Sequence, residues 1–144
     1  MKNLPATPPF HENITLLAVN LDRDDRLSLE RILDRRRWTI QGASSLRDAT
    51  TLLRRQPSLI LCEQDLPDGS WRDLVRVTAD SDGAPPIVVV SRDADERLWA
   101  EVLNVGGYDL LVKPFDTSEV RRVTSMALRH SYHRQNQYTV AFAS

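Results

Sequence analysis

The sequence predicts a single α/β domain in which helices cover both faces of a parallel sheet. Two observations carry this prediction: apolar runs of strand length recur along the chain, and between them apolar residues repeat at helical spacing. Most of the strong runs are apolar throughout, which is typical of strands buried on both faces. The length of 144 residues suits one domain with one core.

Five strands and five helices are predicted, in strict alternation. The strands are the runs ITLLAV (14–19), LILC (59–62), IVVV (87–90) and YDLLV (108–112), with a weaker run at 38–40. The helical stripes between and after them are Leu29, Ile32 and Leu33; Leu46, Ala49 and Leu53; Leu98, Val102 and Leu103; and Val120, Val123 and Ala127. The least periodic helix covers 71–79, and the stretch SDGAPP (81–86) separates it from the fourth strand. Such βαβ units are joined by right-handed crossovers.

The two ends of the chain are predicted to lie outside this domain, which we assign to residues 13–131. Residues 1–12 contain three prolines, which remove backbone donors, and they predict an extended or frayed arm. Residues 132–144 are predicted to be a tail without reliable periodicity, with an edge strand at 138–142 as an alternative.

Composition argues against several classes of function. The 19 basic and 20 acidic residues give a net charge of -1, which provides no global field for nucleic acid or an anionic membrane surface. No apolar run approaches the roughly 20 residues of a membrane span. The single cysteine, Cys62, excludes an internal disulfide and fits a reducing compartment. We therefore expect a cytoplasmic protein without nucleic-acid or membrane partners.

The residues that follow each strand are the candidate functional residues, because ligands in such folds collect at the carboxyl ends of the strands. They are Asn20, Leu21 and Asp22 after the first strand; Glu63, Asp65 and Pro67 after the third; Ser91 after the fourth; and Lys113 after the fifth. No glycine-rich loop follows the first strand, which argues against a dinucleotide site or a P-loop. The three histidines lie near the termini, so no catalytic base accompanies these residues and we expect no enzyme activity.

Three of these strand ends resemble the receiver domain of two-component response regulators. The motifs are DLPDG (65–69), VVVS (88–91) and LVKPFD (111–116), in the order and spacing of that family. The resemblance covers residues 13–130 and implies a flavodoxin-like (βα)5 fold with strand order 2-1-3-4-5. It also implies a phosphorelay site: an acceptor aspartate after the third strand, an acidic pair that holds Mg2+, a hydroxyl after the fourth strand and a lysine after the fifth.

The sequence departs from the family pattern at four positions. Lys113 and Ser91 match the family, but Glu63 stands at the acceptor position, four residues before Pro67. The extra methylene of glutamate moves the carboxylate by about 1.5 Å, which disturbs in-line attack. The other departures are Asn20 and Leu21 in place of the acidic pair, which Asp22 replaces in part, and Leu110 in place of a switch aromatic.

These departures favour a pseudo-receiver in which Glu63 extends toward Lys113 and Ser91 and stands in for a phosphorylated aspartate. A purely structural ion pair between Glu63 and Lys113 is the simpler alternative. A third reading keeps phosphorylation at Glu63 or Asp65, with Mg2+ held by Asp22, Glu63 and Asp65. A small flavodoxin-like nucleotide-binding protein or enzyme is the alternative from another class.

The expected partners are proteins, namely a histidine kinase or a downstream output protein. The resemblance also implies a possible homodimer through the fourth helix, fifth strand and fifth helix. Trp99, which lies early on the fourth helix, could anchor such a contact.

Overall fold

The central sheet has five parallel strands in the order β2-β1-β3-β4-β5, which confirms the predicted fold and strand order. The strands are β1 (Ile14–Val19), β2 (Trp38–Ala43), β3 (Leu59–Glu63), β4 (Ile87–Ser91) and β5 (Asp109–Val112). The structure is a computed structural model that describes the backbone of residues 13–81 and 83–143, with side chains through Ser131. The predicted arm at 1–12 lies outside the described residues.

Five helices alternate with these strands. They are α1 (Arg23–Ile32), α2 (Leu46–Leu52), α3 (Trp71–Ala79), α4 (Glu96–Val105) and α5 (Thr117–Ala143). The first four begin directly after a serine or aspartate whose side chain accepts a hydrogen bond from the first turn: Asp22, Ser45, Ser70 and Asp95. Such caps satisfy backbone donors that have no partner within the helix.

Two apolar layers hold the helices on the sheet, one on each face. Successive strand residues point to opposite faces, so Leu17 and Val19 join one layer whereas Leu16 and Ala18 join the other. The first layer packs under α2, α3 and α4, and the second packs under α1 and α5. Both faces of β1, β3 and β4 are therefore buried, as their continuously apolar sequences predicted.

The end of the chain differs from the prediction. Helix α5 runs through Ala143, so the expected tail at 132–144 is helical over nearly all of its length, and the alternative edge strand at 138–142 is wrong. No glycine or proline occurs between Thr117 and Ala143, so nothing in the sequence terminates the helix before Ala143. None of the described helices is long and apolar enough to cross a membrane.

Candidate functional site

Strand register brings the predicted site residues to one edge of the sheet. Val19 pairs with Cys62, Glu63 pairs with Val90, and Ser91 pairs with Val112. The residues that directly follow or end β1, β3, β4 and β5 therefore share the carboxyl edge. This edge carries Asn20, Leu21, Asp22, Glu63, Ser91 and Lys113.

Lys113 is the centre of this edge. Its Nζ donates to Glu63 Oε2 at 2.7 Å and to Asp25 Oδ2 at 2.9 Å. The Lys113 side chain is only 7% exposed, that of Asp25 10% and that of Glu63 20%. Burial lowers the pKa of Lys113, but hydrogen bonds and charges from Glu63 and Asp25 outweigh burial, so the pKa is raised above its usual value. The ammonium is therefore fixed between two carboxylates.

Asp25 is the residue of the candidate site that sequence reasoning missed. It is the third residue of α1, and its backbone N–H donates to the capping carboxylate of Asp22 at 2.8 Å, while its own carboxylate turns inward to Lys113. Asp25 and Leu29 are the buried residues of α1, so Asp25 extends the predicted apolar stripe of Leu29, Ile32 and Leu33 by one turn. An acid on an apolar stripe was the signal that could have found it.

The residues that replace the acidic pair are engaged elsewhere. Asn20 adopts a φ of 59°, a left-handed conformation that asparagine tolerates, and its Nδ2 donates to the Asp65 carbonyl at 3.1 Å. Leu21 is 9% exposed and belongs to the apolar layer under α1 and α5. Asp22 is exposed and caps α1, and the backbone hydrogen bond from Asp25 lowers its pKa.

Ser91 does not contact Glu63. Its hydroxyl donates to Gln64 Oε1 at 2.8 Å and accepts from the Asp93 backbone N–H at 3.0 Å. The expected reach of Glu63 toward Lys113 is therefore present, whereas its expected reach toward Ser91 is not. Leu110 is half-buried and packs against the layer under α2, α3 and α4.

The loop after β3 is tied to neighbouring elements. Asp65 and Leu66 pair with Ser70 and Gly69 in a two-residue hairpin, and Pro67 lies exposed at its turn. Both carboxylate oxygens of Asp68 accept backbone N–H groups at the start of α2, at 2.7 Å and 3.0 Å. The loop is therefore anchored twice, through Asp68 to the start of α2 and through the Asp65 carbonyl, which accepts a hydrogen bond from Asn20.

Comparison with protein families shows to which family this domain belongs. Residues 16–125 match the model of the response regulator receiver domain. The chain belongs to the receiver domain family of response regulators. This receiver domain is 32% identical over 114 residues to the response regulator protein PilR of Pseudomonas aeruginosa, covering 78% of the chain and 26% of PilR.

Other relatives support the same assignment. The transcriptional regulatory protein CitB of Klebsiella pneumoniae is 31% identical over 103 residues, which cover 71% of the chain and 41% of CitB. The receiver domain thus spans less than half the length of these two curated relatives. The names of both relatives describe regulators, and the family is one of two-component signalling.

Solved receiver structures share the fold. The signal receiver domain of an HD domain-containing protein from Pseudomonas fluorescens superposes with a TM-score of 0.75 at 23% identity, covering 87% of this chain and 93% of that one. The beryllofluoride-activated NtrC4 receiver domain dimer gives a TM-score of 0.71 at 19% identity, with coverages of 81% and 98%. At these identities the likeness extends to the fold alone.

The receiver domain's residues do not fit the Mg2+ that the family implies. Magnesium requires several oxygen ligands in near-octahedral geometry, whereas Leu21 offers no oxygen and the carboxylates of Asp25 and Glu63 are paired with an ammonium. Of the set considered from sequence, Asp22 accepts the Asp25 N–H and Glu63 accepts from Lys113, whereas Asp65 pairs with Ser70 through its backbone only. Among the residues with described side chains, no group of three or more His, Cys, Asp or Glu is arranged to hold a metal.

Proposed function

We propose that this receiver domain signals without phosphorylation, with Glu63 as a permanent anion in place of a phosphorylated aspartate. It acts through protein contacts in the cytoplasm, and it performs no enzymatic reaction of its own. Its partners are a histidine kinase or output protein of a two-component system and a second copy of the domain.

The contact between Glu63 and Lys113 carries the proposal. A carboxylate at the acceptor position, 2.7 Å from the lysine after β5, supplies one permanent negative charge where a phosphoryl group would carry about -1.5 to -2. The pair lies in a site with little solvent, where charge-assisted hydrogen bonds are strong and weakly screened. The charge is present whenever Glu63 is ionised, so no kinase is needed to create it.

The lysine connects this charge to a surface. Lys113 directly follows Val112, whose side chain is exposed, and the Lys113 N–H donates to the Ser91 carbonyl at 3.0 Å. A fixed Lys113 therefore fixes the end of β5. In a two-state switch, an anion biases the equilibrium only through contacts that differ between the states, and the position of this lysine is such a contact.

The surface formed by α4, β5 and α5 is the proposed contact face. It carries five of the six large exposed apolar side chains in the part of the chain with described side chains: Trp99, Leu103, Val105, Val112 and Met126. Trp99 Nε1 donates to Asp109 Oδ1 at 3.2 Å, which holds the indole over β5. Half-exposed aromatic and aliphatic side chains of this kind are enriched in protein interfaces.

A phosphodonor experiment tests phosphorylation independence. The protein is incubated with Mg2+ and acetyl phosphate, and its intact mass is measured. A receiver with an acceptor aspartate serves as a donor control, and the triple variant Asn20→Asp/Leu21→Asp/Glu63→Asp restores the family residues in this chain. We expect the wild type to gain no phosphoryl group; a stoichiometric gain on Glu63 or Asp65 would reverse the proposal.

A second experiment separates a signalling anion from a structural ion pair. Sedimentation analysis measures self-association of the wild type, Glu63→Gln and Glu63→Asp. The control is Glu30→Gln, which breaks the exposed pair of Glu30, on α1, with Arg35 in the turn after it; neither residue is one of the exposed apolar residues of the contact face. We expect Glu63→Gln to weaken association several-fold and Glu30→Gln to leave it unchanged. Equal association of all four proteins would mean that the ion pair is only structural.

A further inference from the structure

We propose that the ammonium of Lys113, held by Asp25 and Glu63, is the resident cation of this site and replaces the divalent metal. The inference rests on the proposed function, since it explains how the carboxylates of the site have a cationic partner without a metal. It assigns Asp25 as a positioning residue that acts through Lys113.

The charges of the site support this assignment. Two carboxylates converge on one ammonium at 2.7 Å and 2.9 Å, so both acids already have a cationic partner. A divalent cation that bound these carboxylates would have to displace Lys113, whose side chain is 7% exposed. The displaced ammonium would then be buried without an anion, which is strongly unfavourable.

The side chains after β1 supply few free oxygen ligands. The Asp22 carboxylate accepts the Asp25 N–H and caps α1. Leu21 contributes an apolar side chain to the core instead of a carboxylate. The Asn20 side chain donates through its Nδ2 to the Asp65 carbonyl. The acid that meets the lysine, Asp25, lies in the first turn of α1 and not at the end of β1.

The composition of the chain makes the test selective. The only lysines are Lys2 and Lys113. Protein labelled with 13C-lysine therefore gives two sets of side-chain signals, one of them from the site and the other an internal control. Paramagnetic Mn2+, which prefers the same oxygen ligands as Mg2+, broadens the signals of groups near which it binds.

We expect millimolar Mn2+ to leave the Lys113 signals of the wild type as sharp as those of Lys2. The double variant Asn20→Asp/Leu21→Asp, which restores the acidic pair, should lose its Lys113 signals at a much lower Mn2+ concentration. This variant is the positive control, since it tests whether the broadening detects a metal bound near Lys113. Selective broadening of wild-type Lys113 at the concentrations that affect the double variant would overturn the proposal.

A gain-of-binding variant tests the role of the ammonium directly. Lys113→Met frees both carboxylates, and the loss of free Mn2+ signal in electron paramagnetic resonance should reveal at least about a tenfold gain in affinity over the wild type. The variant Asp25→Asn/Lys113→Met should lose this gain. A folded Lys113→Met protein without any gain contradicts the proposal. If Lys113→Met does not fold, the Mn2+ titration of the wild type and of Asn20→Asp/Leu21→Asp tests the proposal without it.

These measurements contain no phosphodonor, so their outcome is independent of the phosphorylation test. A wild type that binds Mn2+ at Lys113 but takes no phosphoryl group refutes the resident-cation proposal only. A wild type that excludes Mn2+ yet is phosphorylated refutes the proposed function only.

Discussion

Replacement of Lys113 by methionine should destabilise the fold by about 3–5 kcal/mol, the cost of breaking a buried ion pair by removing one partner. Methionine retains most of the apolar stem, so the change removes chiefly the ammonium. Two charge-assisted hydrogen bonds are lost, each worth about 1.5–3 kcal/mol. The carboxylates of Asp25 and Glu63, 10% and 20% exposed, are then left without a cation.

Urea unfolding at pH 7, followed by tryptophan fluorescence, measures this effect. With an m-value of about 2 kcal/mol/M, the expected loss lowers the unfolding midpoint by about 2 M. Arg122→Met is a matched control, because Arg122 lies 2.7 Å from Glu119, the same distance as in the Lys113–Glu63 pair, but these two side chains are 52% and 41% exposed. The control should lose about 1 kcal/mol or less.

Two results would refute the reasoning. The first is a Lys113→Met variant that loses no more stability than Arg122→Met, since burial would then add nothing to the pair. The second concerns the triple variant Asp25→Leu/Glu63→Leu/Lys113→Met, in which no charge is left unpaired. This variant should recover most of the stability that Lys113→Met loses. A triple variant as unstable as Lys113→Met would show that lost packing, and not unpaired charge, causes the effect.

Three further predictions concern pH, thiol chemistry and packing. The carboxylates raise the Lys113 pKa despite the opposing effect of burial. The stability difference between wild type and Lys113→Met should therefore be full between pH 7 and pH 10.5 and shrink as pH rises through the higher folded-state pKa. A difference that already shrinks between pH 8 and pH 10 would contradict this sign. Burial raises the pKa of Cys62 to about 12, so Ellman's reagent at pH 8 should label the thiol only after the protein unfolds. Rapid labelling of the native protein would show that the thiol is not buried. In Gly107→Ala the new Cβ would lie 2.5 Å from Val102 Cγ1, and this clash should lower the free energy of unfolding by about 1–3 kcal/mol in a thermal unfolding experiment. The added substitution Val102→Ala should restore part of the lost stability only if the clash is the cause.

The strands could be predicted because the apolar composition of each short run indicates that the run is buried. Residues 59–62 and 87–90 are apolar at every position, and both faces of these strands are covered in the fold. Helix α3 was the weakest helix prediction because Thr78, a polar residue, completes its buried stripe of Trp71, Leu74 and Val75. The Thr78 hydroxyl donates to the Val75 carbonyl, and this contact makes its burial possible. This hydrogen bond forms only in the folded helix, so the hydrophobicity of the sequence could not reveal that Thr78 is buried.

The end of α5 shows a different limit. Periodicity detects helices that pack on a core, and within the residues whose side chains are described the burial of α5 extends to Leu128 and Ser131. Beyond that point the sequence lacks a core-facing pattern but also lacks glycine and proline, so the backbone continues as a helix to Ala143. A pattern that reports burial could not distinguish this continued helix from a tail.

The site illustrates why single departures from a motif mislead when they are considered one at a time. From sequence, Asn20 and Leu21 are lost ligands and Glu63 is an acceptor with one methylene too many. The contact that links these changes joins Asp25 to Lys113, residues 88 positions apart, and neither belongs to the altered motif positions. The buried ammonium of Lys113 has two carboxylate partners, Glu63 at 2.7 Å and Asp25, in the first turn of α1, at 2.9 Å. Under the resident-cation proposal, Asn20, Leu21 and Glu63 are therefore understood together with Asp25, because the site then contains a cation of its own instead of binding one.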